Sequence, residues 1–187
     1  MKAVRGQLIV VDGSGASLSA AAKTLTAALR RERDGSGISG WDSSGIFTEI
    51  DTDTDADAES PSARTLTLLY AADLAFRIRW QIRPAIDAGL SVVAAPYVDT
   101  AKALAISAGL PRKWVQELFR FAPRPDRSYH AFDRTPRAVG RSKGDYVDRF
   151  VGAIAASGAP VDAGQLRKQS AAYLLAIEKR GRSKRFK

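Results

Sequence analysis

The chain has 187 residues, 45% of them hydrophobic, enough for one buried core and too few for two, which predicts a single domain. With no cysteine and one histidine, His130, the composition argues against a disulfide framework, a thiolate or His-rich metal centre, a cysteine nucleophile and a Ser-His-Asp triad. No apolar run approaches the roughly 20 residues that span a bilayer, and the N-terminus MKAVRGQLIVVDG enters a strand instead of a signal peptide, so the expectation is a soluble, cytoplasmic protein without a membrane partner. The net charge of +9 is unevenly spread: residues 1–60 carry 6 Lys/Arg against 10 Asp/Glu, and residues 111–187 carry 18 against 7. A basic C-terminal part of this kind predicts a polyanionic partner for that end.

The first informative stretch is Gly6 to Leu25, GQLIVVDGSGASLSAAAKTL. An apolar strand (Leu8 to Val11) leads into a Gly/Ser turn (Gly13 to Ser17) and then an Ala-rich helix. Phosphate-binding loops are built this way, because glycines let backbone N–H groups turn inward and the helix points its positive end at the anion. The Lys that should follow is missing: Leu18 precedes Ser19 where the pattern G-x-x-x-x-G-K-[ST] wants Lys. Ser17 or Ser19 is the predicted N-cap of a helix running to about Arg33. Asp34 to Gly45 is turn-rich and leads to a candidate strand, Ile46 to Ile50. Glu49 to Glu59, EIDTDTDADAE, offers an acid at every second position. An EF-hand loop needs Gly at its sixth position and Glu at its twelfth, and neither Asp51 nor Asp53 as a start provides both, so residues 49–60 read as a solvated acidic loop and no metal site is expected.

From Ser62 to Asp87 apolar residues recur at helical spacing (Leu66, Leu69, Tyr70, Leu74, Ile78, Ile82), with Pro84 expected to break or kink the helix. Leu90 to Ala95 is a buried-strand pattern. Asp99 or Thr100 can cap a helix to Ala108, and Trp114 to Phe121 is a further short helix. Pro123 to Asp126 forms a turn, and Ser128 to Phe132 is the next strand. A helix from Tyr146 to Ala156, a SGAP turn, and a helix from Ala163 to about Lys179 capped by Asp162 complete the domain, residues 1–178. Residues 179–187, KRGRSKRFK, read as a flexible basic tail. Strands alternating with helices imply an α/β fold, a parallel sheet with helices on both faces.

Two segments carry a family resemblance. LLYAADLAFRIRWQIRPAIDAGLSVVAAPYVDT (Leu68 to Thr100) resembles the thymidylate kinase pattern of an aromatic-Ala-Ala-x-Arg helix, an I-x-P-A-L-x-x-G turn and a strand ending Asp-Arg-Tyr. RPDRSYHAFDRTP (Arg124 to Pro136) is similar to that family's R-P-D-L-T-x-x-L-D-V-x-P strand. With GQLIVVDG the likeness extends from about Gly6 to Ala176 and implies a three-layer P-loop NTPase-like fold. It also implies that the family's last strand and C-terminal helix have no counterpart here, which would leave the edge at Ser128 to Phe132 open.

The resemblance assigns roles residue by residue, and many positions depart from it. In the loop Gly13, Ser14, Gly15, Ser17 and Ser19 form a degenerate phosphate turn, with Leu18 in the Lys position and Ser19 left to face Mg²⁺. Tyr70 keeps the aromatic that in the family stacks on thymine, but Leu74 replaces the Arg that holds the monophosphate. Arg77 is a substitute candidate. Ala95-Pro96-Tyr97 replaces Asp-Arg-Tyr, and Trp41-Asp42-Ser43-Ser44 has lost the Arg of Arg-Glu-Pro-Gly. Tyr70, Arg77, Tyr97 and Asp99 remain as candidate nucleotide contacts. A lid-like basic region, residues 134–150, offers Arg134, Arg137, Arg141, Lys143 and Arg149 to transferring phosphate or to a polyanion.

Phosphoryl transfer depends on cationic neutralisation, so these losses point to a protein without catalytic residues or cofactor. The expected role is a binding or structural subunit of a macromolecular assembly, contacting protein or nucleic acid through the basic C-terminal part. The alternatives are a thymidylate kinase using ATP and Mg²⁺, and a nucleotide sensor. A homodimer through the helix 66–82 is a further expectation, since the family pairs by its helices.

Overall fold

The computed structural model describes residues 6–13, 15–32, 35–53, 60–131, 146–157 and 162–185. Four parallel strands form the sheet: β1 (Leu8–Gly13), β2 (Ser36–Gly40), β3 (Ser91–Ala95) and β4 (Arg127–Ala131), in the order β2-β3-β1-β4. Residues Leu8, Ile9 and Val10 of β1 lie opposite Val92, Val93 and Ala94 of β3, while Ile9 to Gly13 run beside Arg127 to Ala131 of β4. The central strands β1 and β3 are buried on both faces, as their nearly unbroken apolar sequences require.

Successive side chains of β1 serve two cores. Ile9 and Val11 pack with Leu18, Ala22 and Leu29 of α1 (Gly15–Glu32). Leu8 and Val10 join the larger core on the other face. That core is closed by α3 (Ala63–Arg77), α5 (Val98–Ser107), α6 (Arg112–Leu118), α7 (Tyr146–Ala156) and α8 (Ala163–Arg185). The three-layer α/β architecture expected from the sequence is therefore present.

Several elements differ from the sequence expectations, each for a local reason. Ile46 to Ile50 is not a strand: it belongs to a helix, α2 (Ile46–Asp53), and the edge strand is the earlier SGISG segment. Asp42, with φ 54°, turns back so that its Oδ1 accepts the Phe47 N–H at 2.8 Å and its Oδ2 the Thr48 N–H at 3.0 Å. Those donors open a helix, and a carboxylate on them acts as its cap. Of the acidic stretch, residues 49–53 are therefore helical, and 54–59 lie outside the described residues.

Pro84 does not break the second helix. A π-helical turn over Ile78–Ile82 joins α3 to α4 (Arg83–Asp87), and the Arg83 N–H reaches back five residues to the Ile78 carbonyl. The wider turn places Pro84 near the start of a fresh helical segment, where its missing N–H costs little. At the end of the chain, α8 continues as helix to Arg185, so the basic stretch expected to be a tail from Lys179 is largely an extension of that helix. Among the described residues no helix is long and apolar enough to cross a membrane, and no strand pairs with the far edge of β4.

Candidate functional site

In parallel α/β sheets ligands bind beyond the carboxyl ends of the strands, which here brings together Asp12 and Gly13, Gly40 to Ser44, Ala95 to Thr100, and His130. The connection from β1 to α1 is short: β1 ends at Gly13 and α1 begins at Gly15, with only position 14 between them. Gly13 has φ 141°, and a Cβ on it would lie 1.7 Å from the Ala131 carbonyl oxygen, so β4 presses directly on the turn. Its N–H is donated to Thr100 Oγ1 at 2.9 Å. Ser17 and Ser19, expected as N-caps, instead sit inside the first turns of α1; Ser19 is exposed. Leu18 points away from the turn into the core with 3% of its surface exposed. Ser14 lies outside the described residues.

Asp12 organises the neighbouring turn. Its Oδ1 accepts the Tyr97 N–H and the Thr100 N–H, each at 2.9 Å, and the Thr100 hydroxyl at 2.7 Å. Sequence reasoning placed a cap at Asp99 or Thr100, but α5 begins at Val98 and the capping carboxylate comes from β1. Burial, with the nearby charge of Asp99, holds the Asp12 carboxyl above the usual carboxylate range, while the hydrogen bonds from Thr100 and Tyr97 pull the other way. Asp99 turns instead to His130, 3.7 Å from its Oδ2. Burial lowers the His130 pKa, but the Asp99 hydrogen bond and the charges of Asp12, Asp99 and Glu178 outweigh it and leave the imidazole above its ordinary value.

Three of the four candidate nucleotide contacts, Tyr70, Tyr97 and Arg77, are built into the core, and Asp99 is the exception. Tyr70 is fully buried and donates its hydroxyl to the Tyr97 carbonyl at 2.8 Å. Its ring lies 4.2 Å from that of Tyr146, centroid to centroid, and 6.2 Å from that of Phe119. The Tyr70 ring is thus packed against other rings of the protein. Tyr97 donates its hydroxyl to the Pro123 carbonyl at 2.9 Å. Burial pushes both phenols up, so they act as neutral donors.

Arg77 is wholly buried: its Nε donates to Ser39 Oγ at 3.1 Å, and its Nη2 to the Ser39 and Pro96 carbonyls at 2.8 and 2.9 Å. Leu74 is buried as well. Of the basic lid-like residues only Arg149 is described; it lies on α7, where burial lowers its pKa against the raising effect of Asp42. Arg134, Arg137, Arg141 and Lys143 lie outside the described residues. No group of three metal-ligating side chains occurs among the described residues.

Sequence reasoning missed Asp12, Ser39 and Asp73, which tie the site together, and gave Thr100 only as a helix cap. The available signal was Asp12 itself, an acid closing an otherwise apolar buried strand, since a buried carboxylate has to find donors.

No family model matches the chain. A probable thymidylate kinase of Pyrococcus abyssi is 37% identical over 59 residues, 32% of this chain and 29% of that protein. A probable thymidylate kinase of Thermococcus gammatolerans is 39% identical over 59 residues, 32% of this chain and 28% of the relative. The matched stretch thus spans less than a third of the relatives' own length. Among solved structures, the thymidylate kinase of Ehrlichia chaffeensis superposes with a TM-score of 0.67 at 12% identity, covering 94% of this chain and 88% of that one. In fold, and in a 59-residue stretch of sequence, the chain is thymidylate-kinase-like.

Proposed function

We propose that this thymidylate-kinase-like protein does not transfer phosphate and acts as a binding or structural subunit of a larger assembly, with protein or nucleic acid engaged through its basic C-terminal part. The observation that carries the reading is the turn after β1. A cradle for a triphosphate needs several residues of loop whose N–H groups face the anion, with a Lys reaching the outer phosphates. Here one position separates strand from helix, the Gly13 N–H is taken by Thr100, and Leu18 is buried. Burial of Tyr70, Leu74 and Arg77 supports the same reading on the acceptor side.

A coupled assay with dTMP, ATP and Mg²⁺ tests the proposal. The expected result is no turnover above the buffer rate; turnover that Ser19→Ala and Arg141→Ala both abolish would establish the kinase reading instead. Binding to a single-stranded oligonucleotide, titrated with salt, tests the polyanion partner: affinity should fall steeply with ionic strength, and no binding at low salt removes nucleic acid from the proposal.

Self-association through the helix 66–82 is part of the same reading. Leu68, Phe76 and Trp80 form an exposed apolar stripe with Ala72, and Trp80 is 61% exposed. A row of exposed apolar side chains at helical spacing is a surface that a second copy of the chain can cover. Sedimentation should give a dimer that Trp80→Glu dissociates, and a wild-type monomer at high concentration would refute the pairing.

A further inference from the structure

The turn between β2 and α2 is shaped like an anion site, and the anion in it belongs to the protein. Asp73, fully buried on α3, accepts the Asp42 N–H on Oδ2 at 3.1 Å and, on Oδ1, the Ser44 N–H at 3.0 Å and the Ser44 hydroxyl at 2.9 Å. Arg77 Nη1 stands 3.8 Å from Oδ2; this nitrogen is buried and has no hydrogen-bond partner among the described residues, although the rest of the guanidinium is held by Ser39 and Pro96. Two backbone N–H groups, a hydroxyl and a cation with a donor to spare converge on one pair of oxygens. Backbone nests and guanidinium groups hold oxyanions in this way, without sequence-specific contacts.

We propose that the Asp42 to Ser44 turn and Arg77 form an oxyanion pocket which the chain fills with its own Asp73 carboxylate. The donors match a small planar oxyanion such as formate, and Asp73 excludes free anions by occupying the pocket with its own carboxylate. Two features follow from this: a buried Arg with an unused donor is retained, because the carboxylate beside it offsets its charge, and the turn holds its shape without a ligand. The pocket lies on the acceptor side of the site, so the inference deepens the non-catalytic reading and rests on it for its meaning.

Truncation of Asp73 tests the exchange. Asp73→Ala leaves the donors stranded around a space the size of a carboxylate, and formate should refill it. The thermal midpoint of Asp73→Ala should rise by at least ~3 °C in about 0.5 M sodium formate over sodium chloride of equal ionic strength. The wild type and Asp73→Asn, whose side chains still fill the space, should show no difference between the two salts. In wild type the backbone amide resonances of Asp42 and Ser44 should stay fixed as inorganic phosphate is added.

An Asp73→Ala protein that responds to formate no more than wild type would overturn the proposal, as would wild-type amides that move with phosphate. Should Asp73→Ala fail to fold in chloride, recovery of folding in formate supports the pocket and failure to recover counts against it. Turnover by the wild type in the coupled assay would remove the non-catalytic reading and leave the anion exchange standing, whereas an unresponsive Asp73→Ala removes the pocket and leaves that reading intact.

Discussion

Leu18→Lys is expected to destabilise the domain by ~3–5 kcal/mol, the loss of a buried Leu plus the cost of an ammonium brought against apolar side chains. On sequence alone the same substitution looks like a repair, because it returns a Lys beside Ser19 as a phosphate loop requires. The two views separate because Leu18 lies among Ile9, Val11, Ala22, Leu29, Val93 and Ala95 and does not face the turn. A Lys can lift its charge toward water along its stem, which sets the lower end of the range. Leu18→Met, close in volume, should cost under about 1.5 kcal/mol. Urea unfolding measures the loss, and thermal shift with MgATP measures any gain. A Leu18→Lys protein as stable as wild type and further stabilised by MgATP would show that position 18 faces a nucleotide.

Asp12 gives the second large effect, and its pattern across substitutions is the informative part. Asp12→Ala should cost ~3–4 kcal/mol, because the Tyr97 and Thr100 N–H groups and the Thr100 hydroxyl lose their shared acceptor inside the core. All three bonds end on Oδ1, so Asp12→Asn can keep them through its amide oxygen and should lose no more than about 1 kcal/mol. The two variants also differ from wild type in pH dependence. A carboxyl whose folded pKa is raised contributes stability that is fully present below its ordinary value of 3.8 and lost as pH rises through the folded value. Asp12→Asn should remove that decline. Equal destabilisation by Ala and Asn would mean that the charge matters and the acceptor geometry does not.

Much of the fold was legible because periodicity and composition carry it. LIVV and SVVAA could hardly be other than buried strands, and the 66–82 repeat could hardly be other than a helix with one apolar stripe. The segments that misled are those whose conformation depends on a group distant in sequence. IFTEI has the residue types of a strand, yet Asp42 caps it as a helix. SGISG is too small and glycine-rich to signal a strand by itself, and pairing with β3 makes it one. Asp99 and Thr100 look like caps until Asp12, 88 residues before Thr100, takes the role.

The candidate site divides along the same line. The sequence by itself determined which residues stand where the resemblance expects charge, Leu18, Leu74 and Ala95-Pro96, because side-chain identity does not depend on folding. Only the tertiary structure decided what surrounds these positions. Burial and convergence of donors are properties of elements packed together, so the filling of Tyr70's surroundings by Tyr146 and Phe119 could not be read from spacing. Nor could the capture of the Gly13 N–H by Thr100, or the closing of the Asp42 to Ser44 turn around Asp73. Each joins groups at least 29 residues apart, a distance over which local sequence pattern carries no information and packing carries all of it.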